Sequence, residues 1–147
     1  MSIAVVFFDL GETLVTSGRQ WLPKAKQLLS ALHHRGFTLG IISNTGNLAS
    51  RQAILDILPA DFDLGIFGAN LILFSSEIGK EKPGHAIFAE AVARSGRPAG
   101  ECLYCSENIV ETLMAQRVGM LTVRVQTAPN SDLATLGQRL AEFQALL

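Results

Sequence analysis

The chain has 147 residues, 48% apolar and 17% charged, which fits one folded domain with a real core and excludes a disordered chain. Twelve Lys and Arg stand against thirteen Asp and Glu, for a net charge of -1, so neither a nucleic-acid footprint nor a polybasic membrane patch is visible. No apolar run approaches the ~18 residues of a membrane-crossing helix, and MSIAVVFF lacks a basic leader and reaches Asp9 too soon for a signal peptide. The cytoplasm is therefore the default compartment, and residues 1–147 are expected to form a single domain.

In chain order, IAVVFF (3–8) is strand-like. Helical spacing follows across 19–36, with Leu22, Ala25, Leu28, Leu29 and Leu32 on one stripe and Gly36 as the stop. FTLGIIS (37–43) is the next strand, and LASRQAILDIL (48–58) the next helix, with Asn47 as its expected N-cap. The segment 59–70 is irregular. LILFS (71–75) reads as a strand and HAIFAEAVARSG (85–96) as a helix ending at Gly96. CLYC (102–105), IVETLMAQRVG (109–119), MLTVRV (120–125) and a last helix over 132–147 complete the alternation.

Alternating β and α units with fully apolar strands predict an α/β fold: a three-layer, Rossmann-like sandwich with about five parallel strands and helices on both faces. Cys102 and Cys105 lie three apart on one of those strands. Such positions point to opposite faces, so the thiols are expected to be core residues rather than a metal or redox pair. His33 and His34 suit the last turn of the first helix. His85 reads as an exposed helix start and Trp21 as a packing residue near the site mouth, while Arg19 and Arg51 are conceivable substrate contacts without a motif.

In open parallel sheets, ligands sit outside the carboxyl ends of the strands. The first polar residues after the apolar runs are Asp9, then Ser43 and Asn44, then Ser106 and Glu107, with Lys82-Pro83 just ahead of the helix at 85. A carboxylate, a hydroxyl, an ammonium group and a second carboxylate on one rim can hold a phosphoryl group beside a divalent cation.

These segments, taken together, resemble the haloacid dehalogenase-like hydrolase superfamily over nearly the whole chain. FFDLGETLV resembles the first motif, D-x-D-G-T, and IISNT the second. SSEIGKEKPGHAIF is similar to the third, and CLYCSENIVETLMAQRVGM to the fourth. The resemblance implies Asp9 as nucleophile, Ser43 and Asn44 as phosphate-binding residues and Lys82 as the charge-stabilising lysine, with Lys80 a weaker candidate for that role. It implies Mg²⁺ held by Asp9, the carbonyl of Gly11, Glu107 and, further out, Glu111. An aspartyl-phosphate would form on Asp9 and be hydrolysed by water.

Two motifs depart from the family pattern. Gly11 stands where the general acid/base Asp belongs, and Glu107 and Glu111 replace two Asp residues. A positioned acid/base contributes about 10²–10⁴-fold, so its loss slows turnover without removing nucleophile or metal. Glu12, one position on and one methylene longer, is the nearest substitute as a catalytic acid/base. The gaps between motifs are filled by single helices and a strand, which predicts a capless member whose open site takes a bulky phosphorylated substrate or relies on a homo-oligomeric partner as a lid. The leading expectation is a Mg²⁺-dependent phosphatase. A phosphate-binding or interaction module that has lost turnover, and a dehalogenase acting on a non-phosphate substrate, are the alternatives.

Overall fold

The computed structural model of the chain describes residues 2–125, and the helix expected over 132–147 lies outside them. Strands β1 (Val5–Phe8), β2 (Thr38–Ser43), β3 (Ile72–Phe74), β4 (Cys102–Ser106) and β5 (Leu121–Arg124) form one sheet in the order β3-β2-β1-β4-β5. Every pair is parallel, and β1 lies at the centre with Phe8 opposite Ile41 on one side and Cys105 on the other. Helices α1 (Ala25–His34) and α2 (Arg51–Leu55) pack on one face, and α4 (His85–Ser95) and α5 (Ile109–Arg117) on the other. The one-turn helix α3 (Ser75–Ile78) continues directly from β3. This is the predicted three-layer arrangement.

The period-two alternation of the strands sorts side chains into two cores. Val6, Phe8, Ile41, Phe74 and Cys105 meet Ala25, Leu29 and Ile54 on one face. Val5, Phe7, Ile42, Cys102 and Tyr104 meet Phe88, Ala91 and Met114 on the other. The cysteines therefore separate as expected, both free and buried. Burial pushes the Cys105 thiol up to about 12. Each fully buried Phe contributes about 1.5–3 kcal/mol by area. Phe7 fits only because its register partner is Gly40, where a Cβ would lie 2.5 Å from the Phe7 ring.

The first helix departs from its predicted bounds. It starts at Ala25, not at residue 19. Pro23 disfavours helical geometry at Leu22, and Lys24 sits at φ 67, outside the helical region. Residues 15–21 form a small hairpin instead, closed by an antiparallel bridge between Val15 and Trp21. Trp21 stacks on Phe62 at 5.1 Å, and its Nε1 donates to Asp61 at 2.7 Å, so it packs as expected but not on a helix. Arg19 Nε donates to the Leu58 carbonyl, and Arg51 forms a two-point pair with Glu77, which ties both arginines to the scaffold.

Helix α2 is also shorter than predicted. Its cap is Ser50, whose hydroxyl accepts from Ala53 N at 3.1 Å, rather than Asn47. The irregular stretch resolves into two short 3₁₀ turns, Leu64–Ile66 and Ala69–Leu71. Strand β5 differs from the fully apolar expectation in exposure, since it is an edge strand whose Leu121 and Val123 are about half exposed. His33 and His34 do occupy the last turn of α1, and His85 opens α4 exposed. Between β1 and β2 lie only the hairpin and α1, and between β3 and Lys82 only α3 and a short loop. Neither gap holds a cap. Among the described residues no helix is long and apolar enough to cross a membrane.

Candidate active site

The carboxyl end of the central strand delivers Asp9, which is 7% exposed. Its Oδ1 accepts from the Leu10 N–H and from Lys82 Nζ, each at 2.8 Å. Both bonds fall on one oxygen, and Oδ2 makes none among the described residues. One oxygen is thereby held in place.

Lys82 arrives from the loop before α4, and its side chain is 3% exposed. Its ammonium touches three acceptors: Asp9 Oδ1 at 2.8 Å, Glu111 Oε1 at 2.5 Å and the Tyr104 hydroxyl at 3.0 Å. The hydroxyl in turn donates to Glu111 Oε1 at 3.0 Å. Two carboxylates, one ammonium and one phenol thus form a buried cluster at the tips of β1 and β4. Burial, foremost, pushes the Glu111 carboxyl above its ordinary range against the pull of Lys82. Burial and then the charges of Glu111 and Asp9 push the Tyr104 phenol well up, so it stays neutral.

Asn44, at the tip of β2, fixes where Lys82 stands. Its Nδ2 donates to the Lys82 carbonyl and its Oδ1 accepts from the Lys82 N–H, both at 2.8 Å. Ser43 ends β2 buried, and among the described residues its hydroxyl makes only a long 3.5 Å contact to the Asn44 carbonyl. Lys80 points to a different partner, Glu90, at 3.9 Å, so Lys82 is the lysine brought to Asp9.

The loop after β1 is tight, with the Leu10 carbonyl accepting from the N–H groups of Thr13, Leu14 and Val15. Thr13 is buried, and its hydroxyl accepts from Glu107 N at 3.1 Å, which ties this loop to the tip of β4. Glu107 is half-buried there. Asn108 caps α5, accepting from Val110 N at 2.9 Å and Glu111 N at 3.2 Å, and so aims the first turn that carries Glu111. Glu12 is exposed at φ 60; its backbone N–H donates to the Val15 carbonyl at 2.8 Å, and its side chain makes no hydrogen bond or ion pair among the described residues. Gly11 is exposed, and a Cβ placed on it would meet nothing within 4 Å.

The structure brings Asp9, Lys82 and Glu111 into direct contact and sets Asn44 behind them. Ser43, Glu107, Gly11 and Glu12 stand on the same carboxyl edge of the sheet, at the ends of β2, β4 and β1. Sequence reasoning missed Tyr104, Thr13 and Asn108. Tyr104 reads as one more apolar residue inside CLYC; the available signal was that it shares a face with Phe7, beside the strand ending in Asp9. Asn108, directly before an apolar-periodic helix, carried a legible cap signal.

Among the described residues no three His, Cys, Asp or Glu side chains gather as a metal cage. Mg²⁺ does not demand one, because it is held by one or two carboxylates together with substrate and water. Asp9 Oδ2, Glu107 and the Gly11 carbonyl, which accepts no backbone hydrogen bond among the described residues, are hard oxygen donors on one rim and fit that requirement.

The family description haloacid dehalogenase-like hydrolase matches residues 16–119, beginning beyond Asp9. A glyceraldehyde 3-phosphate phosphatase of Methanopyrus kandleri is 34% identical over 113 residues, covering 76% of this chain and 46% of that protein. The chain thus spans about half the length of this curated relative. A solved structure from Porphyromonas gingivalis, described as a predicted HAD-like family hydrolase, is similar with a TM-score of 0.67 at 17% identity, covering 95% of this chain and 98% of that one. A solved dehalogenase is similar with a TM-score of 0.61 at 26% identity, covering 76% and 46% respectively.

Proposed function

The chain belongs to the haloacid dehalogenase-like hydrolases, and from that premise we propose that it is a Mg²⁺-dependent phosphomonoester hydrolase with Asp9 as its nucleophile. The observation that carries the reading is the two-sided treatment of Asp9. Lys82 and the Leu10 N–H hold Oδ1, and Oδ2 is left at the carboxyl edge of the sheet, where a phosphorus atom can be approached in line.

Asp9 Oδ2 attacks phosphorus, the bond to the substrate oxygen breaks, and an aspartyl-phosphate forms as the alkoxide or phenoxide leaves. Water then attacks that phosphorus, releasing inorganic phosphate and regenerating the Asp9 carboxylate. Lys82 offsets negative charge on the phosphoryl oxygens, and Ser43 donates its hydroxyl to them. Asn44 holds the Lys82 backbone in place, and Glu111 holds its ammonium. Asp9, the Gly11 carbonyl and Glu107 are the groups that would hold Mg²⁺. When bound, Mg²⁺ supplies charge neutralisation between nucleophile and phosphoryl group.

No carboxyl group stands at position 11 to protonate the leaving group or activate water. The substrates turned over best are therefore those with acidic leaving groups. The phosphatase relative and the open rim support phosphorylated substrates as the class.

The test is hydrolysis of p-nitrophenyl phosphate with Mg²⁺ by the wild-type protein and Asp9→Asn. Turnover that vanishes in Asp9→Asn supports the reading. Equal turnover in both removes Asp9 from the chemistry and refutes it. Gly11 favours one further reading, a phosphate-binding module without efficient turnover. Phosphate binding without hydrolysis by the wild-type protein would select that one.

A further inference from the structure

An ammonium group has three protons to donate. In this protein two of them go to Asp9 Oδ1 and the Tyr104 hydroxyl, and Glu111 Oε1 lies against the same nitrogen as an ion pair at 2.5 Å. A phosphoryl oxygen that approaches Lys82 therefore competes with three oxygens already around the ammonium. Resting on the phosphohydrolase reading above, we propose that the Tyr104 hydroxyl is a positioning group that occupies one Lys82 N–H in the resting protein and yields it to the phosphoryl oxygen of the substrate.

Three observations single out Tyr104 as the partner that yields. Its contact with Lys82 is the longest of the three, at 3.0 Å. It is a neutral phenol, whereas the other two are carboxylates whose charge-assisted bonds are roughly twice as strong. It also keeps its donation to Glu111 after releasing Lys82, so no buried polar group is left without a partner. Release of Asp9 would instead unsteer the nucleophile, and release of Glu111 would leave a buried carboxylate short of its cation.

The phenol holds a fixed position. Its ring is fully buried in β4 and packs edge-to-face on Phe88 with centroids 5.1 Å apart. Its hydroxyl accepts from Lys82 and donates to Glu111 at once. The residue acts through Lys82 by holding the ammonium proton oriented until substrate arrives. The exchange also imposes a cost on phosphate binding, since each phosphoryl group must displace an existing hydrogen bond.

Tyr104 is the only tyrosine in the chain. The tyrosine Raman doublet, whose intensity ratio reports whether the phenol donates, accepts or does both, therefore reads this hydroxyl alone. Saturating the wild-type protein with inorganic phosphate and Mg²⁺ is expected to move the ratio toward the donor-only pattern. Tyr104→Phe keeps the ring packing and removes the competitor, and is expected to bind inorganic phosphate about fivefold more tightly by calorimetry. A wild-type protein that binds phosphate with an unchanged doublet overturns the inference and leaves the phosphohydrolase reading standing, even if Tyr104→Phe fails to fold. Equal or weaker phosphate binding by folded Tyr104→Phe does the same. A wild-type protein that binds no phosphate refutes both.

Discussion

Restoring a carboxylate at position 11 is the sharpest test of the site's chemistry. Gly11 is exposed, its φ lies outside the left-handed region, and a Cβ there meets nothing within 4 Å, so Gly11→Asp adds its side chain without a clash. Its effect on stability is expected to lie between zero and about 1 kcal/mol of gain, since replacing Gly narrows the unfolded ensemble. The catalytic effect is expected to be larger. A positioned acid/base contributes about 10²–10⁴-fold, or roughly 3–5 kcal/mol of barrier. The gain must depend on the leaving group, because protonation matters little for an acidic phenol and greatly for an alcohol. Steady-state hydrolysis of p-nitrophenyl phosphate and of a simple alkyl phosphate, with Mg²⁺, measures both. The expected result is a modest gain on the aryl ester and a gain of at least about 10²-fold on the alkyl ester. Equal or lower alkyl-ester turnover, with an unchanged melting temperature, would show that position 11 does not face the leaving group.

Lys82→Met leaves Asp9 and Glu111 buried without their shared cation, and is expected to cost about 3–5 kcal/mol in urea unfolding, together with all measurable turnover. Asn44→Ala removes both bonds to the Lys82 backbone. It should lower kcat by up to about 10²-fold through displacement of the ammonium, while stability falls by only about 1–3 kcal/mol. The Cys105 thiol, raised from 9.0 to about 12, stays protonated in the folded state while the unfolded chain ionises. The unfolded state then binds fewer protons, so stability is lost as pH rises from 9 toward 12, by up to about 1.4 kcal/mol per pH unit from this group. Urea midpoints at pH 8 and 10.5 should diverge in the wild type and diverge less in Cys105→Ala.

The sheet was legible because β1 to β4 are short, nearly continuous apolar runs that end abruptly in polar residues. The two faces were legible from the alternation that separates Cys102 from Cys105. Helix starts were less so. The apolar stripe through Leu22 and Ala25 runs across Pro23, and backbone geometry at Leu22 and Lys24 overrides that periodicity. Asn47 and Ser50 are equally good cap types, and only the local turn decides between them. In the site, the strand end pointed to Asp9 and the resemblance to the third motif pointed to Lys82, and the two meet at 2.8 Å. The contacts of Tyr104 and Asn44 with Lys82 could not be read, because they span 22 and 38 positions of sequence.

Placing β1 at the centre of the sheet has a consequence for biosynthesis. Val5–Phe8 leaves the ribosome well ahead of Cys102–Ser106, and one of its two edges stays open until that partner has followed. While the intervening residues are made, the nascent chain therefore carries an apolar strand with unpaired amides, the kind of surface that chaperones shield and aggregates recruit. The contact between Asp9 and Lys82, 73 positions apart, is made only after the same long wait for partners. A chain cut short before β4 would have Asp9 and Lys82 in its sequence but no Tyr104 or Glu111 to anchor the lysine beside it.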